Sequence, residues 1–354
     1  MTNLGMIGAG MIANVHAKAI KSVGTIIAVH DPREERAKKF AEEHSCEVLD
    51  NAELFSREDI DGVVIAVPND RHAEIAVGAL NSGKHVLLEK PMALSLSECD
   101  QIISARNKSN KQLQMGFVCR YSPASLKTKQ IIESGLIGDV QHVNATLLRQ
   151  RGIPGLGGWF TTKKRSGGGC LIDIGVHLID LVMHLTSKRT PVSARGKCTQ
   201  LFTTETYSYD EMWSMPVEGG TFDVEDRVSA LLADASGTTF QFDVSWATHI
   251  PENTVKDGLI IEGSKGSLIV DLWSNELIYG FSDGGVPKSK TISFDVTDSW
   301  DDAFEGEHLA FASAIKNGKL DNGAGTAEDG RLVQSVVELI YESDKQNRET
   351  KLQR

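Results

Sequence analysis

The stretch GMIGAGMIA, residues 5–13, restricts the fold of this chain more than any other segment. An apolar run gives way at Gly8 to a G-x-G-x-x-A pattern, and the helix-like MIANVHAKAIKSVG follows at once. A strand that becomes a helix within three residues needs a turn without Cβ atoms, which Gly8 and Gly10 provide. The N–H groups of the new helix then point at whatever sits in front of them, a natural seat for phosphate. The alternation continues through the first 120 residues. TIIAVHDP, DGVVIAVPN, KHVLLEKP and QLQMGF read as strands, and REERAKKFAEEH, DRHAEIAVGALNSG and SLSECDQIISARNKSN as helices. Strands separated by helices imply a parallel sheet with right-handed crossovers, covered on both faces. The expectation for residues 1–120 is a doubly wound α/β domain.

After Arg120 the texture changes. A helix-like ASLKTKQIIESGLIG leads to the strand DVQHVNATLLR and a glycine-rich loop, GIPGLGGWF. VEDRVSALLADASGTTFQFDVSW and DGLIIEGSKGSLIVDL then read as strands joined by turns, and two helices close the chain. This predicts an α+β domain with a largely antiparallel open sheet over residues 121–354. A net charge of −11, with no run of basic residues, argues against a nucleic-acid partner. No run of 18 uninterrupted apolar residues suggests a membrane span, and the amino terminus lacks the basic stretch of a signal peptide. Cys46, Cys99, Cys119, Cys170 and Cys198 are odd in number and scattered, as suits reduced thiols in the cytoplasm.

The chemistry begins at the ends of the strands. Gly8, Gly10, Met11, Ile12 and Ala13 form the turn that would seat a pyrophosphate, and Asp31 follows Gly10 by 21 residues at the end of the second strand. A carboxylate there accepts hydrogen bonds from an adenosine ribose and repels a 2′-phosphate, which favours NAD over NADP. Arg33 and Arg36 just beyond it soften that preference and leave NADP possible. The motif therefore reads as the dinucleotide fingerprint of a Rossmann domain. The next strand ends in Pro68-Asn69-Asp70-Arg71-His72. Asn69 and His72 are candidates for touching the ribose or diphosphate, and equally for a helix start with a solvated histidine. Glu89-Lys90-Pro91 closes the following strand, where a lysine hydrogen-bonds a substrate hydroxyl or simply reaches solvent.

One further segment resists a bland reading. CLIDIGVHLIDLVMHL, residues 170–185, looks like a buried apolar helix, yet Asp173, His177, Asp180 and His184 interrupt it at spacings of four, three and four. Those spacings place all four on one face of a helix. Burying them is costly unless something pairs with them. No single metal ion is reached by four side chains spread from Asp173 to His184, so no metal is expected.

Taken together, Gly8-x-Gly10-x-x-Ala13, Glu89-Lys90-Pro91, MGFVCRY and SGGGCLIDIGVHLIDL resemble the glucose–fructose oxidoreductase and inositol dehydrogenase family (Gfo/Idh/MocA). The resemblance covers nearly the whole chain. It implies nicotinamide-dependent redox chemistry on a sugar or cyclic polyol, with the active site in the cleft between the two domains. It carries the catalytic roles to Lys90, Asp173 and His177: Lys90 holds the reacting oxygen, His177 accepts its proton and Asp173 orients a neighbouring hydroxyl. It implies that the Lys90–Pro91 peptide is often cis, and it adds Glu89 as a cofactor contact and Arg120 as a cofactor contact or, equally, an interdomain ion pair. Tyr121 and Trp159 become candidates for the substrate, and Lys163, Arg165, Arg149 and Arg151 for anionic groups on it. A homodimer or homotetramer through the second sheet is implied as well. Two alternatives stay open: a redox-neutral glycoside hydrolase or transferase that uses tightly held NAD, and a dinucleotide-binding regulator without catalysis.

Overall fold

The computed structural model describes residues 1–187, 189–202, 216–251, 254, 255, 257–296 and 298–352. The chain divides into two compact units. The first comprises Met1–Val118 with Ala303–Gln334, and the second Cys119–Asp302 with Ser335–Arg354.

The first unit holds β1 (Thr2–Ile7), α1 (Met11–Ile20), β2 (Gly24–His30), α2 (Glu34–His44), β3 (Glu47–Val48), α3 (Asn51–Ser56), β4 (Gly62–Ile65), α4 (His72–Asn81), β5 (His85–Glu89), α5 (Leu96–Ser109) and β6 (Leu113–Gly116). Its six strands lie in the order β3-β2-β1-β4-β5-β6, and every pair is parallel. This is the strand order of the Rossmann fold. Every residue of β4 is buried, as a strand covered on both faces requires. Leu4, Met6, Val29, Val64 and Leu87 of the strands form one core with Ala13, Ala17 and Ile20 of α1 and Phe40 of α2.

Phe311 belongs to the same core and is fully buried. It lies outside residues 1–120, the span read from the sequence as this domain. Burying a phenylalanine is worth about 1.5–3 kcal/mol, so the core recruits a late helix that strand–helix alternation does not reveal.

The second unit begins with α6 (Pro123–Glu133), β7 (Val140–Leu148), the single turn α7 (Lys163–Ser166) and α8 (Val176–Leu185). The strands β8 (Pro191–Thr199), β9 (Arg227–Asp234), β10 (Thr239–Ser245), β11 (Gly258–Gly263), β12 (Gly266–Val270), β13 (Glu276–Asp283) and β14 (Val286–Ser293) come next. The helices α9 (Ser299–Asn317) and α10 (Ala327–Gln346) and the short β15 (Thr350–Lys351) end the chain. The nine strands run β14-β13-β12-β11-β7-β10-β9-β8-β15, antiparallel except for β7 beside β10. Burial alternates along β9 and β10, so one face is covered and the other open. On the open face Ile260 pairs with Ile269 and Ile269 with Ile278, and all three are exposed.

Among the described residues one stretch, Lys163–Leu185, is long and apolar enough to cross a membrane, and 89% of its most apolar window is buried inside the protein. That is the surrounding of a core helix.

Candidate active site

In the first unit β1 ends in a turn built as the sequence requires. Gly8 takes φ +99°, and a Cβ on it would lie 2.2 Å from the Ala66 carbonyl oxygen. Its N–H donates to the His30 carbonyl at 2.7 Å. Gly10 caps α1 without any side-chain acceptor, and nothing lies within 4 Å of the position its Cβ would take. By contrast Asp50, Ser95 and Ser122 cap α3, α5 and α6 with their side chains. The first turn of α1 carries no acidic residue, and Ala13 packs fully buried behind it. These are the features a pyrophosphate at the helix N-terminus needs, so the residues present fit the dinucleotide.

Asp31 stands beside this turn. Its Oδ2 accepts the Ala9 N–H at 2.9 Å and its Oδ1 the Arg33 N–H at 2.9 Å. The carboxylate thus braces the glycine turn while lying at the end of β2, and a carboxylate retains lone pairs for further donors. Met11 is exposed at the mouth of the turn and Ile12 packs against the core.

At the ends of β4 and β5 the sequence expectations divide. Pro68 leads into a short turn at Asn69–Arg71, with Asn69 buried. His72 is not solvated and does not present its ring for cofactor contact. It is 1% exposed, with Nδ1 2.7 Å from the Pro91 carbonyl oxygen and Nε2 3.0 Å from that of Val67. Burial lowers its pKa. The neutral ring carries a single N–H, so it donates to one of these two carbonyls, Pro91 after β5 or Val67 after β4. Glu89 likewise turns inward: Oε1 lies 2.9 Å from His16 Nε2, and Oε2 accepts the Lys90 N–H at 3.0 Å. The Lys90–Pro91 peptide is cis, as the resemblance implies, and Lys90 is half-buried at the carboxyl edge of the sheet. His16 and His308 escaped the sequence reading, because a lone histidine on an apolar helix carries no local sign of its partner.

In the second unit the SGGGC turn is fixed from two sides. A Cβ on Gly168 would lie 1.9 Å from the Tyr341 hydroxyl, and one on Gly169 1.7 Å from the Glu225 carbonyl oxygen. Glu225 Oε1 accepts from the N–H groups of Gly169 at 2.9 Å and Leu171 at 3.2 Å, and from Tyr341 OH at 2.9 Å. Burial raises the pKa of Glu225, and burial together with the Glu225 charge raises that of Tyr341. The segment beyond this turn is not one uniform α-helix. Leu171–Gly175 forms a wide π-helical turn before α8, an irregularity common at functional sites.

The four polar residues of this segment therefore differ in their surroundings. Asp173 is half-buried, and its Oδ2 accepts from Nε1–H of the fully buried Trp246 at 2.8 Å. His177 is half-buried. Asp180 is 1% exposed and receives Nε and Nη2 of Arg120 at 2.7 and 2.6 Å, a bidentate buried ion pair. Arg120, itself 3% exposed, is thus directed at Asp180, an ion pair formed within the second unit. His184 is half-buried, and its carbonyl oxygen accepts from Lys129 Nζ.

Of the remaining candidates, Tyr121 is half-buried and Trp159 stacks on Phe160 with ring centroids 3.8 Å apart. Arg151 donates to the carbonyls of Gln150 and Thr248, and Lys163 lies over the Tyr341 ring. A cavity of about 690 Å³ lined by Lys163, Asp223, Glu225 and Tyr341 includes neither Asp173 nor His177. Among the described residues no three His, Cys, Asp or Glu side chains gather as a metal site.

Two family descriptions match this chain: "Oxidoreductase family, NAD-binding Rossmann fold" over residues 2–117 and "GFO/IDH/MocA C-terminal domain" over residues 125–269. Oxidoreductase P35 of Formosa agariphila is 31% identical over 293 residues, 78% of this chain and 81% of that protein. The chain belongs to the GFO/IDH/MocA oxidoreductase family. Within it, the chain is also similar to the D-glucoside 3-dehydrogenase of Escherichia coli, 25% identical over 96% of this chain and 94% of the relative. A solved levoglucosan dehydrogenase, in complex with NADH and levoglucosan, superposes with a TM-score of 0.87 over 100% of both chains. At 22% identity that likeness carries the fold alone. As a member of the GFO/IDH/MocA family the protein is an oxidoreductase with an NAD-binding Rossmann domain.

Proposed function

We propose that this oxidoreductase oxidises a secondary alcohol of a sugar or cyclic polyol reversibly. The observation that carries the reading is the half-buried Lys90, at the carboxyl edge of the same parallel sheet whose first turn fits a dinucleotide. Ligands bind at that edge in open α/β sheets. The name of one relative, a D-glucoside 3-dehydrogenase, supports the substrate class. NAD, when bound, supplies the hydride acceptor. Gly8, Gly10, Met11, Ile12 and Ala13 hold its diphosphate and Asp31 its ribose, with Pro68 and Asn69 shaping the neighbouring strand end. Asp31 favours NAD over NADP.

Lys90 donates a hydrogen bond to the reacting hydroxyl oxygen, favouring its developing negative charge. His177 takes the proton as the C–H bond gives up its hydride, and in reduction returns it. Asp173, held by Trp246, orients a neighbouring hydroxyl, and Tyr121 and Trp159 contact the ring. We place the enzyme in the cytoplasm as a homodimer or homotetramer. Its five free cysteines support the compartment, and the exposed isoleucine row on the second sheet supports the assembly. Light scattering on a size-exclusion column reads the assembly directly.

The decisive test is a screen of sugars, inositols and sugar acids at the NADH absorbance band, with NAD and NADP offered separately. Turnover of a polyhydroxy substrate that is nearly abolished in Lys90→Ala, with NADH binding retained, is the expected result. Full activity of Lys90→Ala would overturn the role given to Lys90. Substrate conversion without net NADH would favour the redox-neutral alternative.

A further inference from the structure

Behind the carboxyl end of β5 lies a row of three polar side chains for which the proposed chemistry has no use. Glu89 Oε2 accepts the Lys90 N–H at 3.0 Å, Glu89 Oε1 lies 2.9 Å from His16 Nε2, and His16 Nδ1 lies 2.9 Å from His308 Nε2. The three come from β5, α1 and α9, all within the first unit. His16 and His308 are fully buried and Glu89 is 7% exposed. Phe304 meets His16 edge-on with ring centroids 5.3 Å apart. A row this dry is costly unless its hydrogen bonds are completed, so its placement calls for a function.

The donors can be assigned. The Glu89 carboxylate accepts from Lys90 N–H and from His16 Nε2–H. His16 Nδ1 is then the acceptor for His308 Nε2–H, and burial favours the neutral form of His308. His308 Nδ1 is buried and has no hydrogen-bond partner among the described residues. On the His308 side the row therefore ends inside the first unit. Its work is to hold. One end grips the main chain of Lys90, and His16 sits on α1 six residues beyond Gly10, on the helix whose first turn fits the pyrophosphate.

We infer that His16 is a positioning residue for Lys90, acting through Glu89 to keep the lysine in register with the dinucleotide seat. The inference rests on the role proposed for Lys90.

Two substitutions separate the halves of the row. In His16→Gln the amide nitrogen falls near the place of Nε2 and preserves the donor to Glu89. In His16→Asn the amide oxygen falls near Nδ1, accepts from His308 and preserves only that side of the row. His16→Asn is expected to lower kcat on the order of 10- to 100-fold, the scale of a misplaced catalytic group. His16→Gln should restore most of that loss, with NADH affinity held in both variants. In a Lys90→Ala background His16→Asn should leave the residual turnover unchanged, because the group it positions is gone.

Equal impairment of the Gln and Asn variants, wild-type turnover in His16→Asn, or a further loss in the Lys90→Ala background would each overturn the inference. A second readout does not depend on activity. The rate at which a small amine reagent modifies Lys90, read by mass spectrometry, should change in His16→Asn and stay as wild type in His16→Gln. Active Lys90→Ala enzyme with that labelling pattern intact would refute the role of Lys90 while leaving the bracket standing. Unaltered labelling in His16→Asn would refute the bracket itself.

Discussion

Asp180 in the middle of an apolar helix is intelligible through Arg120, and the pair makes a quantitative prediction. Side chains 2% and 1% exposed meet through two hydrogen bonds of 2.6 and 2.7 Å. Asp180→Asn keeps the volume and removes the charge, leaving the guanidinium buried beside a neutral amide. Losing one partner of a buried pair costs about 3–5 kcal/mol. Replacing both, as Arg120→Met with Asp180→Leu, should be neutral or stabilising, because the desolvation cost of both charges disappears with their attraction.

All five tryptophans fall between residues 159 and 300, inside the second unit, so tryptophan fluorescence reports the unfolding of that unit. With a urea slope of about 3 kcal/mol per molar, the midpoint in Asp180→Asn drops by about 1–1.7 M. The double variant returns to the wild-type midpoint or above and binds NADH normally. An unmoved midpoint in Asp180→Asn would refute the argument. So would a loss of NADH affinity in the double variant at full stability, since that outcome would restore Arg120 to the cofactor.

Three further outcomes are expected. Asp31→Ala should weaken NAD more than NADP, by about 10-fold or more for a lost hydrogen bond to a charged group. Isothermal titration with each cofactor measures it, and an unchanged preference contradicts the reading of Asp31. Trp246→Phe removes the donor to Asp173 and should lower kcat/KM for the sugar by about 10-fold, again the scale of a hydrogen bond to a charge, while NADH affinity holds. Steady-state kinetics decide, and unchanged kcat/KM would show that Asp173 needs no such anchor. His85 has a folded-state pKa lowered to about 4, first by burial and then by the Lys111 charge, and its Nδ1 accepts the Gln112 N–H. The unfolded chain takes up the proton near pH 6.5, so the stability this group contributes is present above that pH and is lost as pH falls toward 4. Hydrogen exchange of the β5 and β6 amides, corrected for intrinsic rate, should show the loss, and His85→Gln should flatten it.

Much of the fold was legible because its signals are local. A positive φ at Gly8, open space at Gly10 and a fully buried Ala13 are demands a nine-residue motif can state by itself. Strand–helix alternation then leaves one sensible sheet, since parallel strands need crossovers and crossovers have one hand. Turn signals between short apolar runs announced the second sheet, and its burial pattern in β9 and β10 shows one covered and one open face.

Asp31 was legible at its place beside the turn. Its second task, accepting the Ala9 N–H, was not. Composition and motif thus determined the class of fold, the cofactor seat and the lysine at the strand end. Partners were left to the tertiary structure. Arg120 finds Asp180 across 60 residues, Glu89 finds His16 across 73, and His16 finds His308 across 292. The wide turn at Leu171–Gly175 and the recruitment of Phe311 into the first core are of the same kind. Helical periodicity states that a face is apolar or that a buried charge needs a counterpart. Which distant group fills that need is settled only when the chain closes on itself and burial makes an unpaired polar group too costly to keep.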